Sequence, residues 1–130
     1  MTQEDYVSFE TAKLLKEKGF NYPCRVVYSP KGIVKHYLKE EVYAHHLKGH
    51  KKLCPTLQMA MKWLRKVHNI IVSPYALSLG YYFEIFDLTN RDITGCKPLY
   101  KIGIPNKEDI LSTYEQACEA GIKYCLENLI

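Results

Sequence analysis

Three histidines and one cysteine fall within ten positions of the segment "YAHHLKGHKKLCP", residues 43–55. They are His45, His46, His50 and Cys54. Histidine and cysteine are the residue types that bind zinc, which takes four ligands in a tetrahedron. However, the spacing H-H-x3-H-x3-C matches no paired zinc pattern, and adjacent histidines point apart on a helix or a strand. We therefore predict a solvated loop here, with no metal ion and no cofactor.

The positive charge of the chain is concentrated in the same region. Residues 31–67 carry nine Lys and Arg residues against two acids, a net charge of +7, whereas the whole chain carries +4. Phosphate backbones bind such surfaces, and unpaired bases stack on exposed aromatic rings. The candidate polyanion-binding residues are Lys48, Lys51, Lys52, Lys62, Trp63, Arg65 and Lys66. Because no recognised nucleic-acid motif accompanies them, the simpler alternative to a binding surface is the solvent-exposed face of an amphipathic helix.

Catalysis has little support in the sequence. Cys54 near His50 has the composition of a nucleophile–base pair, but no local signature orients the two side chains. Burial of Cys54 at the start of the following helix is the simpler interpretation. Glu84 and Asp87 fall on opposite faces of one strand and so cannot act as an acid–base pair. We predict a protein that binds without catalysing a reaction.

Eleven tyrosines is a high count for 130 residues. Tyrosine joins a large apolar ring to a polar tip, which suits interfaces and pockets, although packing between sheet and helix uses the same residues. The candidate interface or pocket residues are Tyr75, Tyr81, Tyr82 and Tyr100. The leading hypothesis is binding of a protein partner or of a second copy. Polyanion binding and sequestration of a small ligand in a tyrosine-lined pocket are the alternatives.

Local signals predict the elements that must position these residues. Ser8, Thr56 and Thr113 each precede an amphipathic segment and predict a helix start. "SPKG" between two β-branched runs predicts a hairpin turn at residues 29–32. Three further strands are predicted at residues 69–73, 80–88 and 99–104. The order α-β-β-α-β-β-β-α predicts a single α+β domain over residues 1–130, with an antiparallel sheet of three or more strands and helices mainly on one face.

The apolar positions of these elements predict the core. The expected buried residues are Leu15, Phe20, Leu57, Ala60, Leu64, Val67, Phe83, Ile85, Ala117, Gly121 and Leu129. Five cysteines, an odd count without paired spacing, are typical of reduced thiols in a cytoplasm. No apolar run has the length of a signal peptide or a membrane span, so we expect a cytoplasmic protein without a membrane partner.

The stretches "TLQMAMKWLRKVHNI" and "TYEQACEAGIKYCLENLI" resemble a family of short proteins from gut bacteriophages, their prophages and related mobile elements. The opening "VSFETAKLLKEKGF" is similar to the openings of that family. The resemblance covers about half of the chain and leaves out residues 24–53 and, in detail, 73–110. The family has no assigned activity, so the resemblance implies no activity and identifies no functional residue in this chain. It implies an accessory protein of a phage or mobile element, acting in the cytoplasm of a bacterial host cell.

Overall fold

Three α-helices and six β-strands make up the computed structural model, which describes residues 2–130. The helices are α1 (Phe9–Glu17), α2 (Leu57–His68) and α3 (Tyr114–Asn128). The strands are β1 (Val26–Tyr28), β2 (Val34–His36), β3 (Lys52–Leu53), β4 (Ile70–Leu77), β5 (Gly80–Asp92) and β6 (Gly95–Tyr100). Short 3₁₀ turns cover Gln3–Asp5, Ala44–His46 and Lys107–Asp109. The predicted α+β class is confirmed. Within residues 2–130 no helix is both long and apolar enough to cross a membrane.

The strands form two antiparallel sheets of three strands each, in the orders β2-β1-β3 and β4-β5-β6. The predicted antiparallel sheet of three or more strands is therefore confirmed, and the chain builds two of them. Strand β3 is not among the predicted strands; its two residues pair Leu53 with Val27 and Lys52 with Tyr28. This pairing brings the basic segment before α2 into the first sheet, beside α1.

The helices begin where their caps predict. Ser8, Thr56 and Thr113 each accept a hydrogen bond from the backbone N–H three residues later, at 3.1–3.2 Å. Each bond satisfies a donor of the first turn that has no partner inside the helix. At the end of α1, Gly19 takes the left-handed conformation with φ +86°, and the N–H of Phe20 donates back to the last turn at 2.9 Å.

Helix α3 packs closely on the second sheet. A Cβ atom on Gly121 would lie 2.4 Å from Cγ1 of Val72 and 3.3 Å from the Phe83 ring, so a glycine is needed inside this helix. The predicted core is buried apart from two residues. Val67 is 51% exposed, contrary to the prediction, because it lies one turn beyond Leu64, the last residue of α2 that packs into the core. Leu129 is half-buried at the end of α3.

The predicted boundaries of the last three strands are wrong. Strand β4 continues through Pro74 to Leu77, beyond its predicted end at residue 73, and the proline is tolerated because β4 is an edge strand. Strand β5 ends at Asp92 instead of residue 88, and β6 covers Gly95–Tyr100 instead of residues 99–104, so Ile104 is 94% exposed. The cause is the length of β5, which stays paired with β6 as far as Asp92 through two shifts of register. Such bulges leave no clear signal in a single sequence.

Candidate polyanion-binding surface

Four lysines from α1 and the β3 segment share one surface, which we name the lysine cluster: Lys13, Lys16, Lys51 and Lys52. The ammonium group of Lys16 donates a hydrogen bond to the carbonyl of Lys51 at 3.1 Å. The ammonium groups of Lys13 and Lys52 lie 4.7 and 5.3 Å from the centroid of the Phe9 ring. An aromatic face attracts cations, so one ring holds two positive charges close together.

The lysine cluster has no carboxylate partner in the described part of the chain. The ion pair found in residues 2–130 joins Lys123 to Glu10, at 3.1 Å. Burial lowers the pKa of Lys52, and the charges of Lys16 and Lys13 lower it further. A lowered lysine pKa means that the charged form is disfavoured in its surroundings. A bound anion would relieve this repulsion.

The lysine cluster unites residues that lie far apart in the sequence. Lys51 and Lys52 are among the predicted candidates, whereas Lys13 and Lys16 are not. Residues 1–30 carry equal numbers of acids and bases, so regional charge does not single them out. The available signal is their spacing of three, which places both on one face of α1. Lys48, also predicted, is exposed beside a recess of about 310 Å³ that Lys51 lines as well.

The predicted candidates on α2 do not take part in the contacts that form the lysine cluster. Lys62 and Lys66 are exposed and Arg65 is half-buried, on a helix that packs mainly on β4 and α3, whereas α1 packs on β3. The prediction for Trp63 is wrong. Its indole is 1% exposed, because the ring packs edge-on against Phe20 at 5.4 Å between centroids. A buried ring cannot stack on a base.

The histidine-rich segment forms a compact turn next to the lysine cluster. His45 and His46 belong to the 3₁₀ turn, and both stand beside the ring of Tyr43. Their rings lie 4.1 Å apart, so the prediction that these adjacent histidines point apart is wrong. His50 is exposed, and its carbonyl accepts a hydrogen bond from the ammonium group of Lys52 at 2.7 Å. Among residues 2–130, no three His, Cys, Asp or Glu side chains lie close enough together to hold a metal ion.

Cys54 is buried, as the sequence suggests, and is 1% exposed. Its thiol lies 3.7 Å from the carbonyl oxygen of Val7, which also accepts a hydrogen bond from the Tyr28 hydroxyl at 2.7 Å. Burial raises the pKa of the Cys54 thiol to about 11. Because the thiolate is the nucleophile, this thiol is unreactive at neutral pH, and its hydrogen-bond partner is the carbonyl of Val7 and not the exposed His50.

The predicted tyrosines pack around the second sheet. The Tyr82 and Tyr100 hydroxyls share a hydrogen bond of 2.5 Å, and the Tyr100 ring lies 4.5 Å from that of Tyr124 on α3. Burial, followed by this bond, raises the pKa of Tyr82. Tyr75 and Tyr81 are half-buried. The cavities of about 280, 250 and 190 Å³ beneath the N-terminal segment are lined by other residues than the four predicted tyrosines.

The chemistry of the lysine cluster is that of an anion-binding surface. Ammonium groups donate strong charge-assisted hydrogen bonds to phosphate oxygens, and a run of phosphates can engage several of them at once. The charged groups that lower the pKa of Lys52 are the ammonium groups of Lys16 and Lys13. No protein-family model matches this chain, and no similar protein is found among curated sequences or solved structures.

Proposed function

We propose that this protein is a non-enzymatic binding protein whose ligand is a phosphate polyanion, the backbone of a nucleic acid, held by the lysine cluster. The observation that carries the proposal is the convergence of the ammonium groups of Lys13, Lys16 and Lys52, which form no ion pair in residues 2–130. Lys51 adjoins them through its backbone carbonyl. Its setting would be the one that the resemblance implies, an accessory protein of a phage or mobile element in the cytoplasm of a bacterial host.

Electrostatics favours this function over a merely solvated surface. Burial is the main cause that lowers the pKa of Lys52, and the like charges of Lys16 and Lys13 lower it further, so part of the shift reflects the cost of holding like charges together. A phosphate backbone would remove that cost and release condensed counterions at the same time. Four phosphate contacts predict that the logarithm of the association constant falls with the logarithm of salt concentration with a slope of about −3.

Fluorescence anisotropy with a labelled oligonucleotide tests the proposal. Between about 50 mM and about 200 mM salt, that slope predicts a loss of affinity of about 50-fold. Replacing Lys16, Lys51 and Lys52 with Gln should weaken binding at low salt and reduce the slope to about −1, because one phosphate contact remains. The thermal unfolding midpoint of the variant confirms that it is folded.

The matched control replaces Lys62, Arg65 and Lys66 with Gln, which removes the same charge from α2. It should leave most of the affinity and the salt slope in place. Equal losses in the two triple variants would mean that net charge and not the lysine cluster controls binding. Binding that does not respond to salt would contradict the proposal outright.

A second candidate function is the binding of a protein partner or of a second copy. The favouring observation is the face of the second sheet that lies opposite α3, which we name the outer face. Val72 and Ile85 are paired neighbours buried beneath α3, so the adjacent pair, Ile71 and Phe86, points to the outer face. Both are half-buried, and Tyr75 lies on the same face. Half-buried apolar side chains on an open sheet face are typical of interfaces.

A further inference from the structure

We infer that the nucleic acid bound by the lysine cluster is single-stranded, because an exposed aromatic platform beside the lysines can stack on an unpaired base. The aromatic platform consists of Tyr43, His45 and His46. The inference rests on the proposed function and adds the class of ligand to it. It also gives the histidine-rich segment a role that needs no metal ion.

Three rings meet in the aromatic platform. The ring of Tyr43 lies 5.6 Å from that of His45 and 5.7 Å from that of His46, and the two imidazoles are 4.1 Å apart. Tyr43 is 42% exposed, and both histidines are exposed. None of the three is a buried core residue, because all three side chains are exposed. Packing in the core therefore does not account for this exposed ring cluster.

The turn that carries the platform is anchored to the rest of the protein. The N–H of His46 donates to the carbonyl of Tyr43 at 3.0 Å, and that of Leu47 donates to the carbonyl of Ala44 at 3.1 Å. Ala44 and Leu47 pack against the core from the inner side of the turn. A platform fixed in this way loses little conformational freedom when a base stacks on it.

The aromatic platform and the lysine cluster are continuous. Ala44 and Leu47, which anchor the platform, line one small cavity together with Lys16 of the cluster. His46 lines the recess of about 310 Å³ that Lys48 and Lys51 also line. A nucleic-acid strand with one base stacked on the aromatic platform would thus place its phosphates near the ammonium groups of the lysine cluster.

The acids of the recess limit the path of the strand. Glu40 and Glu41 also line this recess and would repel phosphates. The backbone should therefore run on the side of Lys16 and Lys52, which do not line this recess, away from the two glutamates. Duplex bases are stacked on one another and expose only their edges, so a duplex cannot use the platform. A single strand can use both the rings and the charges.

Binding of three probes to the protein and its variants tests the inference: a short single-stranded oligonucleotide, a duplex of the same sequence, and inorganic polyphosphate. The Tyr43→Ala variant should bind the single strand about 5- to 150-fold more weakly, the loss expected for one stacked base. Its affinity for polyphosphate should not change, because polyphosphate has no bases. Tyr43→Phe should keep the affinity of the parent, because the ring is retained.

Tyr114→Ala is the matched control, because Tyr114 is 41% exposed but lies on α3. It should bind all three probes like the parent. If Tyr43→Ala leaves single-strand binding unchanged, or if duplex binds as tightly as single strand, the inference is overturned. In that case the proposed function can still hold: if replacing Lys16, Lys51 and Lys52 with Gln abolishes polyphosphate binding, the lysine cluster binds phosphates. A failure of the single-strand inference is thus distinguishable from a failure of the proposed function.

Discussion

The indole of Trp63 fills the junction between α2 and the chain that follows α1. It packs edge-on against Phe20 at 5.4 Å and against the His68 ring at 4.7 Å, and it is 1% exposed. It is among the largest fully buried side chains of the described residues. Its contribution is therefore to the stability of the fold and not to ligand binding.

Trp63→Ala should lower the free energy of unfolding by about 3–5 kcal/mol, because it removes a large ring and leaves a cavity. Urea denaturation followed by circular dichroism measures this change. Trp63→Phe should cost less, since part of the ring volume remains. Where the alanine variant is still folded, it should bind the oligonucleotide as the parent does. If the variant lost affinity for the oligonucleotide while its stability stayed unchanged, Trp63 would be a binding residue, contrary to this prediction.

At the scale of elements, α3 covers one face of the second sheet, and the apolar side chains of Ile71 and Phe86 on the outer face are half-buried. Helix α3 covers the face of Val72 and Phe83, and Gly121 lets the two come into close contact. The edges of the sheet are blunted, because β4 contains Pro74 and β6 contains Pro98. Proline removes a backbone donor and discourages pairing with further strands. Association through this sheet should therefore use the outer face and not an edge.

The outer face predicts weak self-association. Strand β4 spans eight residues, so the three-stranded face covers about 400 Å² per copy, roughly half of a standard interface. Sedimentation equilibrium should show dimers at concentrations of about 100 µM and above, with Phe86→Ser shifting the protein to monomer. Ile104→Ser, which removes an exposed isoleucine outside the sheet, should not. A monomer at every concentration would count against the second candidate function.

At the scale of the whole molecule, four buried thiols make the core sensitive to alkaline pH. All five cysteines are free, and Cys24, Cys54, Cys118 and Cys125 are buried. Burial is the main cause that raises the thiol pKa values of Cys24, Cys54 and Cys125 from 9.0 to about 12, about 11 and about 12, respectively, and it raises the pKa of Cys118 as well. In the unfolded chain, water solvates the thiolates, so their pKa values return to the ordinary range.

Stability should therefore fall above pH 9. Below that pH the thiols are protonated in both states and stability does not depend on them. Above it the unfolded chain releases protons that the folded chain retains, which costs about 1.4 kcal/mol per pH unit for each thiol until its folded pKa is reached. Urea denaturation at a series of pH values measures this slope. Cys125→Ala should make it shallower, and a slope that is unchanged in that variant would contradict the assignment.

The sequence by itself determined the features that depend on near neighbours. The caps at Ser8, Thr56 and Thr113, the glycine end of α1 and the hairpin turn at residues 29–32 all involve hydrogen bonds between residues at most a few positions apart. Those interactions are encoded in short segments and survive in any fold that contains them. The α+β class followed from the same signals.

Only the tertiary structure decided which residues share a surface. Lys16 and Lys51 lie 35 positions apart and meet because β3 pairs with β1 beside α1, a pairing of two residues that no periodicity reveals. Trp63 lies on the flank of α2, between its apolar and its charged side, so the helical pattern is compatible with an exposed or a buried ring. The contact with Phe20, a residue distant in the sequence, buries it. Contacts between distant segments depend on how whole elements pack, and a single sequence records that packing only indirectly.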